Sequence, residues 1–209
     1  MIHILIADDH SVVRRGLKQI LLDEFPDAAI TSVNDGNKLL QKARTEKWNI
    51  IISDLSMPGR NGLEVVKQLK AEFPKLPVLI LSMHPEDHYA IRALKAGASG
   101  YLTKDSASDE LVNAVRKILS GRKYITSAVA EKLAESLGKD TSKVPHETLS
   151  DREFHVMKLL ALGKKLSEIS NSLSLSINTI STYRRRILEK MNMKTNAELT
   201  HYTIKNKLE

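Results

Sequence analysis

Four apolar segments of the chain end in, or are followed by, polar side chains that could take part in phosphoryl chemistry. These side chains are Asp8 and Asp9, Asp54, Ser82 and Lys104. If the three aspartates meet, their repulsion is tolerable only beside a cation, and oxygen ligands without Cys or His favour Mg²⁺. A carboxylate near Mg²⁺ and a lysine can act as a nucleophile toward a phosphoryl group. Taken alone, Asp54 would more simply be a helix cap or a solvated loop acid, so the prediction depends on the group.

The elements that position these residues follow from hydrophobic periodicity. Apolar strand candidates at 2–7, 28–33, 48–53, 76–82 and 99–103 alternate with amphipathic stretches of helical period. Continuous apolar strands between helices indicate a parallel sheet covered on both faces, an α/β, doubly wound, flavodoxin-like fold. If the strand order is 2-1-3-4-5, strands 1 and 3 are neighbours and the three aspartates meet at the carboxyl edge of the sheet.

The composition excludes several classes of protein. Without Cys there is no disulfide framework, no thiol nucleophile and no Cys-based zinc site. No apolar run approaches the roughly 18 residues that a membrane span needs. The N-terminus MIHILIADDH lacks the basic start of a signal peptide. We therefore expect a soluble, cytoplasmic protein without a membrane partner.

The net charge of +7 is concentrated toward the C-terminus. Residues 1–120 carry 16 Lys and Arg against 15 Asp and Glu, whereas residues 148–209 carry 11 against 6. A small basic domain behind a nearly neutral one indicates a polyanionic partner. We predict a first domain at 1–122, a linker helix and flexible linker at 123–147, and a compact domain of four helices at 148–209.

Helix starts in the basic domain carry capping signals. Ser150 with Glu153, and Thr195 with Glu198, match the capping-box spacing. Between these helices, LSEISNSLSLSINTISTYRRRILEK predicts a helix, a short turn and a second helix. On the second helix, a predicted inward face comprises Ile177, Ile180, Ile187 and Met191.

The outward side of that second helix suits a major groove. Short polar groups allow close approach, and Arg can bond guanine or phosphate; a solvated basic face is the alternative. We expect Arg185 and Thr182 to contact bases, with Ser181 close by, and Arg184, Arg186 and Lys190 to contact phosphates. The full predicted DNA-binding set is Asn178, Thr179, Ser181, Thr182, Arg184, Arg185, Arg186 and Lys190.

Residues 1–120 resemble the receiver domain of bacterial response regulators. The matching motifs are ADD after the first strand, D…MPG..G after the third, a hydroxyl after the fourth and K after the fifth. The resemblance implies that Asp54 is the phosphorylated residue. It also implies that Asp8, Asp9, Asp54 and the backbone carbonyl of Ser56 hold Mg²⁺.

The same resemblance implies roles for three further residues. Lys104 would pair with a phosphate oxygen, and Ser82 and Tyr101 would form a switch pair. When Ser82 moves toward the phosphoryl group, Tyr101 can fill the vacated space. We therefore expect Tyr101 to be mobile or outward in the unphosphorylated protein.

Residues 148–209 resemble the LuxR-type helix-turn-helix of the NarL/FixJ response regulators. The matching motifs are LSDRE, ALG and SEIS..L.LS..TIS.Y...I..KM, although Ser181 stands where Lys is usual and Tyr183 where His is usual. The implied partners are a sensor histidine kinase and double-stranded promoter DNA, with RNA polymerase as a further partner. One motif reads few base pairs, so we expect a homodimer when phosphorylated, on half-sites about one helical turn apart. Its interface would use receiver faces beside the switch and the last helix, 196–208.

Two other functions remain open from the sequence. A phosphatase with an Asp nucleophile also uses Mg²⁺ and an aspartyl phosphate, but it needs a second acid two residues later, where this chain has Ser56. A regulator that binds DNA without phosphate is the other alternative, and the complete acid pocket argues against it. We predict a transcription regulator rather than an enzyme.

Overall fold

The computed structural model describes residues 1–57, 62–84, 86–137, 145–206 and 208. Contacts between residues divide the chain into two compact units, Met1–Lys139 and Asp140–Glu209. Within the described ranges, no helix combines the length and the apolar character needed to cross a membrane.

The first unit is a parallel sheet with helices between its strands. Its strands are β1 (His3–Ala7), β2 (Ala29–Val33), β3 (Ile50–Asp54), β4 (Val78–Ser82) and β5 (Gly100–Thr103). They pair in the order β2-β1-β3-β4-β5, and every pair is parallel. The intervening helices are α1 (Ser11–Glu24), α2 (Gly36–Thr45), α3 (Gly62–Glu72), α4 (Glu86–Lys95) and α5 (Ala107–Leu119). This topology confirms the predicted flavodoxin-like fold.

The central strands are apolar because both of their faces are covered. Every residue of β3 and of β4 is buried. On one face, Ile4 and Ile52 pack in a single cluster with Leu21 of α1 and Leu111 of α5. A strand enclosed in this way can carry polar side chains only near its ends, unless they are paired inside.

Residues after α5 also pack on the first unit, and they include α6 (Ser127–Leu137). The backbone N–H of Tyr124 donates to Ser99 O over 2.9 Å, and Tyr124 forms a parallel bridge with Gly100 at the open edge of β5. Thr126 Oγ1 donates to Glu86 Oε2, at the start of α4, over 2.6 Å. The first domain was predicted to end at residue 122, whereas the first unit extends to Lys139. The difference arises because Tyr124 pairs with the open edge of β5.

The second unit contains only helices in its described residues. A short 3-10 helix, Pro145–Thr148, precedes α7 (Asp151–Ala161), α8 (Leu166–Leu173), α9 (Ile177–Met191) and α10 (Asn196–Lys205). All four α-helices contribute fully buried side chains to its core, among them Phe154, Ile169, Ile180, Ile187 and Leu199. The predicted small helical domain is therefore confirmed.

One of the two predicted capping boxes is complete. Ser150 and Glu153 bond each other's backbone N–H groups at the start of α7. At α10 the Glu198 N–H donates to Thr195 Oγ1, but the Glu198 carboxylate accepts from the backbone N–H of Lys194 instead of Thr195. The second box is thus incomplete, because the Glu198 side chain reaches one residue further back.

The predicted linker is partly helical. Residues 138–144 lie outside the described residues, whereas 145–148 form the 3-10 helix. Its His146 Nδ1 lies 2.9 Å from the Tyr202 hydroxyl of α10, and its ring centroid is 6.0 Å from that of Phe154. These contacts join the last linker residues to the second unit.

Candidate functional site

Three charged side chains meet at the carboxyl edge of the sheet. Asp54 is the last residue of β3, Asp8 follows β1 and Lys104 follows β5. Lys104 Nζ lies 2.6 Å from Asp8 Oδ2 and 3.1 Å from Asp54 Oδ2, and no side chain of the three is more than 8% exposed. The pairing of β1 with β3 brings the two acids together, as the strand order led us to expect.

In this pocket, burial and the charge of Lys104 shift the pKa of Asp54 in opposite directions. Burial raises the pKa of Asp54, and the nearby Asp8 carboxylate adds to the rise, whereas the Lys104 ammonium counteracts it. Burial alone would lower the pKa of Lys104, but its bonds to Asp8 and Asp54 hold that pKa above its ordinary value. A charged lysine therefore lies between two acids, of which Asp54 is costly to ionise.

The donor set of the pocket suits a divalent cation. Asp8, Asp9, His10 and Asp54 each offer one donor atom, and the four atoms lie within 4.8 Å of one another. Asp54 Oδ1 is buried and accepts no hydrogen bond from the described residues. One lysine cannot neutralise three carboxylates, so a bound cation would balance the remaining charge and satisfy this oxygen.

The sequence-based ligand set excluded histidine, and the structure adds His10 to the cluster. The available signal was its position directly after Asp8 and Asp9. The set also included the backbone carbonyl of Ser56. The structure has Ser56 in the exposed loop after β3, with its hydroxyl 3.1 Å from His84 Nε2. His84 is a second histidine near the pocket that the sequence reasoning missed.

The start of α3 constrains the same loop. An added Cβ at Gly62 would lie 2.5 Å from the carbonyl oxygen of Asp54 and 2.7 Å from Leu55 Cα. The Gly62 N–H donates to Leu55 O over 2.9 Å. Only glycine fits this approach, which explains the second glycine of the motif after β3.

The predicted switch residues lie on neighbouring strands. Ser82, at the end of β4, is fully buried, and its hydroxyl accepts from the His84 N–H over 3.1 Å. Tyr101 is 3% exposed, and its hydroxyl donates to the carbonyl oxygen of His84 over 2.8 Å. Burial raises the pKa of Tyr101. The expectation of an outward Tyr101 is therefore not met, because the His84 carbonyl gives the hydroxyl an inward partner.

The second unit presents its candidate nucleic-acid interface on α9. Ser176 caps this helix by accepting from the Thr179 N–H, and the predicted DNA contacts at exposed positions are Asn178, Ser181, Arg185, Arg186 and Lys190. Ile180, Ile187 and Met191 are buried, as predicted, but Ile177 is 51% exposed. Ile177 is the first residue of α9 and precedes the buried part of the helix, so its predicted inward position is wrong.

Several predicted DNA contacts also bond within the protein. Thr182 Oγ1 donates to Asn178 O over 2.9 Å, and Arg184 Nε donates to Asn196 Oδ1 over 2.8 Å. Lys190 Nζ lies 2.6 Å from Glu153 Oε2, whose side chain is only 4% exposed. Although burial alone would raise it, the bond to Lys190 and those at the helix cap hold the pKa of Glu153 below its ordinary value. Lys190 thus joins α9 to α7 through this ion pair.

A lysine-bridged acid pocket on a 2-1-3-4-5 sheet, joined to a helix-turn-helix unit, defines a response regulator of the DNA-binding class. Residues 4–116 match the response regulator receiver domain, and residues 147–203 match the luxR family of bacterial regulatory proteins. The chain belongs to the NarL/FixJ response regulators, which join a receiver domain to a LuxR-type DNA-binding domain.

Similar proteins match nearly the whole chain. Response regulator UvrY of Escherichia coli K12 is 34% identical over 209 residues, which cover 100% of this chain and 96% of UvrY. Response regulator GacA of Pseudomonas aeruginosa PAO1 is 33% identical over 207 residues, or 99% of this chain and 97% of GacA.

Solved structures also match nearly the whole chain. RcsB from Salmonella enterica serovar Typhimurium, bound to promoter rprA in the presence of the phosphomimetic BeF₃⁻, is 25% identical, with a TM-score of 0.63 over 97% of this chain and 98% of that chain. A further RcsB–DNA complex is 26% identical, with a TM-score of 0.59 over 96% of each chain.

Proposed function

We propose that Asp54 accepts a phosphoryl group, and that a sensor histidine kinase is the donor in the cell. The observation that carries this proposal is the unequal surroundings of the two Asp54 carboxylate oxygens. Oδ2 lies 3.1 Å from Lys104 Nζ, whereas Oδ1 accepts no hydrogen bond from the described residues. An oxygen without a partner can attack phosphorus. As the Asp54 O–P bond forms, the P–N bond of the phosphohistidine breaks and the imidazole keeps its electron pair.

Mg²⁺ would be held by the carboxylates of Asp8, Asp9 and Asp54 and by the carbonyl of Ser56. When bound, it supplies positive charge that lets an anionic phosphoryl group approach the acid pocket. Among the protein's own groups, Lys104 would neutralise one phosphoryl oxygen and Ser82 would donate a hydrogen bond to another. The position of Tyr101 would then change with that of Ser82, because both side chains form hydrogen bonds with the backbone of His84.

The phosphoryl group would act as a signal rather than as a step in ester turnover. An Asp-nucleophile phosphatase needs a second acid two residues after the nucleophile, and that position is Ser56. The Ser56 hydroxyl lies near His84 and has no carboxyl proton to give a leaving group. We therefore infer a regulator and not an enzyme.

The output would be sequence-specific binding to promoter DNA that regulates transcription. The exposed Asn178, Ser181, Arg185 and Arg186 of α9 support this role, as does the likeness to RcsB solved on promoter DNA. Phosphorylation would promote a homodimer on two half-sites, and RNA polymerase would be a further partner on the promoter. The balance between monomer and dimer can shift only if the phosphoryl group binds the two states with different free energy.

Labelling by a small phosphodonor tests the assignment of Asp54. The full chain is incubated with acetyl phosphate and Mg²⁺, and the modified residue is located by mass spectrometry after borohydride trapping. We expect Asp54→Asn to abolish labelling, and Asp105→Asn, which changes an exposed acid beside Lys104, to retain it. Persistent labelling of Asp54→Asn would remove the basis of the proposed function.

A further inference from the structure

Ile177 places an apolar side chain at the exposed start of α9. It is the first residue of this helix and is 51% exposed. Asn178 beside it and Ser181 one turn later are exposed as well, whereas Ile180 is fully buried. Because residues four apart are neighbours on a helix surface, Ile177 adjoins Ser181. An apolar group therefore lies on the side of α9 that carries the predicted base contacts.

The first turn of α9 is held in place by its own hydrogen bonds. The Thr179 N–H donates to Ser176 Oγ over 3.1 Å, and the Ile180 N–H donates to the carbonyl oxygen of Ser176 over 3.1 Å. A side chain branched at Cβ, such as that of Ile177, has one strongly preferred rotamer in a helix. Little conformational entropy is therefore lost when Ile177 is buried by a partner.

The hydroxyl groups near Ile177 already have partners within the helix. Ser176 Oγ lies 2.8 Å from Thr179 Oγ1, and Thr182 Oγ1 donates to the carbonyl oxygen of Asn178. The isoleucine thus offers an apolar surface beside hydroxyls that bond to the protein. In the major groove the matching apolar group is the C5-methyl of thymine, which the other three bases lack. The first residues of the second helix in a helix-turn-helix are those that reach base edges.

We propose that Ile177 contacts the C5-methyl group of one thymine in each operator half-site and selects thymine there. The inference deepens the proposed function, because it rests on promoter binding through α9. The exposed Arg185, two turns further along α9, supplies positive charge that attracts the DNA but does not distinguish thymine from cytosine. A cytosine facing Ile177 would lack the methyl group, and its amino group would lose water without gaining an acceptor.

Replacement of single thymines by uracil tests the contact, because it removes only the C5-methyl group. The probe is a duplex selected from random sequences by the full chain with beryllofluoride and Mg²⁺, and affinities are measured by fluorescence titration. At one thymine in each half-site, uracil should weaken wild-type binding by roughly three- to fivefold. Ile177→Ala should weaken binding to the unmodified duplex by a similar factor and lose the response to uracil at that position.

Two further variants serve as controls for the role of the side chain. Ile177→Val keeps the branch at Cβ and should retain a preference for thymine over uracil. Leu162→Ala removes a side chain that is 60% exposed at the end of α7 and should leave the uracil response of the wild type unchanged. Alanine favours helix more than isoleucine does, so Ile177→Ala is not expected to unfold α9.

The outcomes separate this contact from DNA binding itself. If uracil at every thymine changed the affinities of the wild type and of Ile177→Ala by the same factor, the contact would be rejected while sequence-specific binding stood. A wild-type chain that selected no sequence at all would instead reject the proposed output on promoter DNA. Loss of the uracil response only in Ile177→Ala supports the contact.

Discussion

The Tyr101 hydroxyl donates a 2.8 Å hydrogen bond to the carbonyl oxygen of His84. His84 follows Ser82 by two residues, and its own N–H donates to the Ser82 hydroxyl. The end of β4 and the side chain from β5 are therefore linked through one backbone residue. A movement of Ser82 toward the phosphorylation site would change the position of the carbonyl that holds Tyr101.

Loss of the Tyr101 hydroxyl should lower stability modestly. Tyr101→Phe keeps the buried ring and removes one hydrogen bond, so we expect the free energy of unfolding to fall by about 0.5–1.5 kcal/mol. Urea denaturation of the full chain measures this change. Tyr183→Phe is the matched control, because Tyr183 is partly exposed and lies in the other unit. Equal stability of Tyr101→Phe and the wild type would mean that the His84 bond contributes nothing.

The acid pocket should make stability depend on pH through Asp54. Burial raises the pKa of Asp54 in the folded chain, so the folded protein binds this proton more tightly than the unfolded chain does. Stability from this group is therefore full below the ordinary Asp pKa of about 3.9 and is lost as pH rises through the raised value. Asp54→Asn should therefore increase the free energy of unfolding at neutral pH.

The pH series decides whether that gain comes from ionisation. The advantage of Asp54→Asn over the wild type should shrink toward zero as pH falls, and added Mg²⁺ should reduce it at neutral pH by stabilising the wild type. Asp105→Asn, at an exposed position, should show neither effect. An advantage that persists unchanged at acid pH would point to packing rather than to charge.

The sequence predicted the topology and the polar strand ends because both follow from burial. A strand covered on both faces is a continuous apolar run, and charged residues such as Asp8 and Asp54 can stand only where that run ends. Their convergence then needed only the neighbouring positions of β1 and β3. The covering of the β5 edge by Tyr124 was not predictable in this way, since it depends on which later segment meets a free edge.

The orientations of single side chains could not be predicted either, because they depend on contacts with segments that are distant in the sequence. The inward position of Tyr101 depends on a carbonyl from another strand's loop, and Ile177 is exposed only because α9 begins there, although its spacing matches the inward residues. His10 and His84 occur singly, without a periodic pattern. Only the geometry of the neighbouring carboxylates and hydroxyl identifies their partners.

Lys190 should contribute to stability as well as to DNA binding. Lys190→Met removes the 2.6 Å ion pair to Glu153, and we expect a loss of about 1.5–3 kcal/mol in the free energy of unfolding of the second unit. Because the pKa of Glu153 is lowered, its contribution is present above the ordinary Glu pKa and is lost as pH falls through the lowered value. Thermal unfolding at neutral and acid pH measures both effects. Lys164→Met, at an exposed position, is the control. If Lys164→Met lowered the free energy of unfolding by the same amount, the loss in Lys190→Met could not be attributed to the ion pair.

Arg185 should read bases rather than the DNA backbone. It is exposed on the outward side of α9, so we expect Arg185→Ala to cost about 1–3 kcal/mol at the cognate site and to relax sequence preference there. Binding is measured on selected and on random duplexes across a salt series. Arg186→Ala serves as the comparison, with a similar loss on all sequences expected for a phosphate contact. A loss of equal size on random DNA in Arg185→Ala would make Arg185 a backbone contact too.

The most direct test of phosphorylation control measures mass and DNA affinity of the same sample, with and without beryllofluoride. Light scattering gives the mass of the full chain, and a fluorescence titration gives its affinity for a selected operator. Beryllofluoride with Mg²⁺ should convert a mainly monomeric protein into a dimer and tighten operator binding, and Asp54→Asn should remain monomeric and weakly bound under both conditions. The same mass and the same operator affinity in both wild-type samples would contradict the account and leave a regulator that binds DNA independently of phosphate.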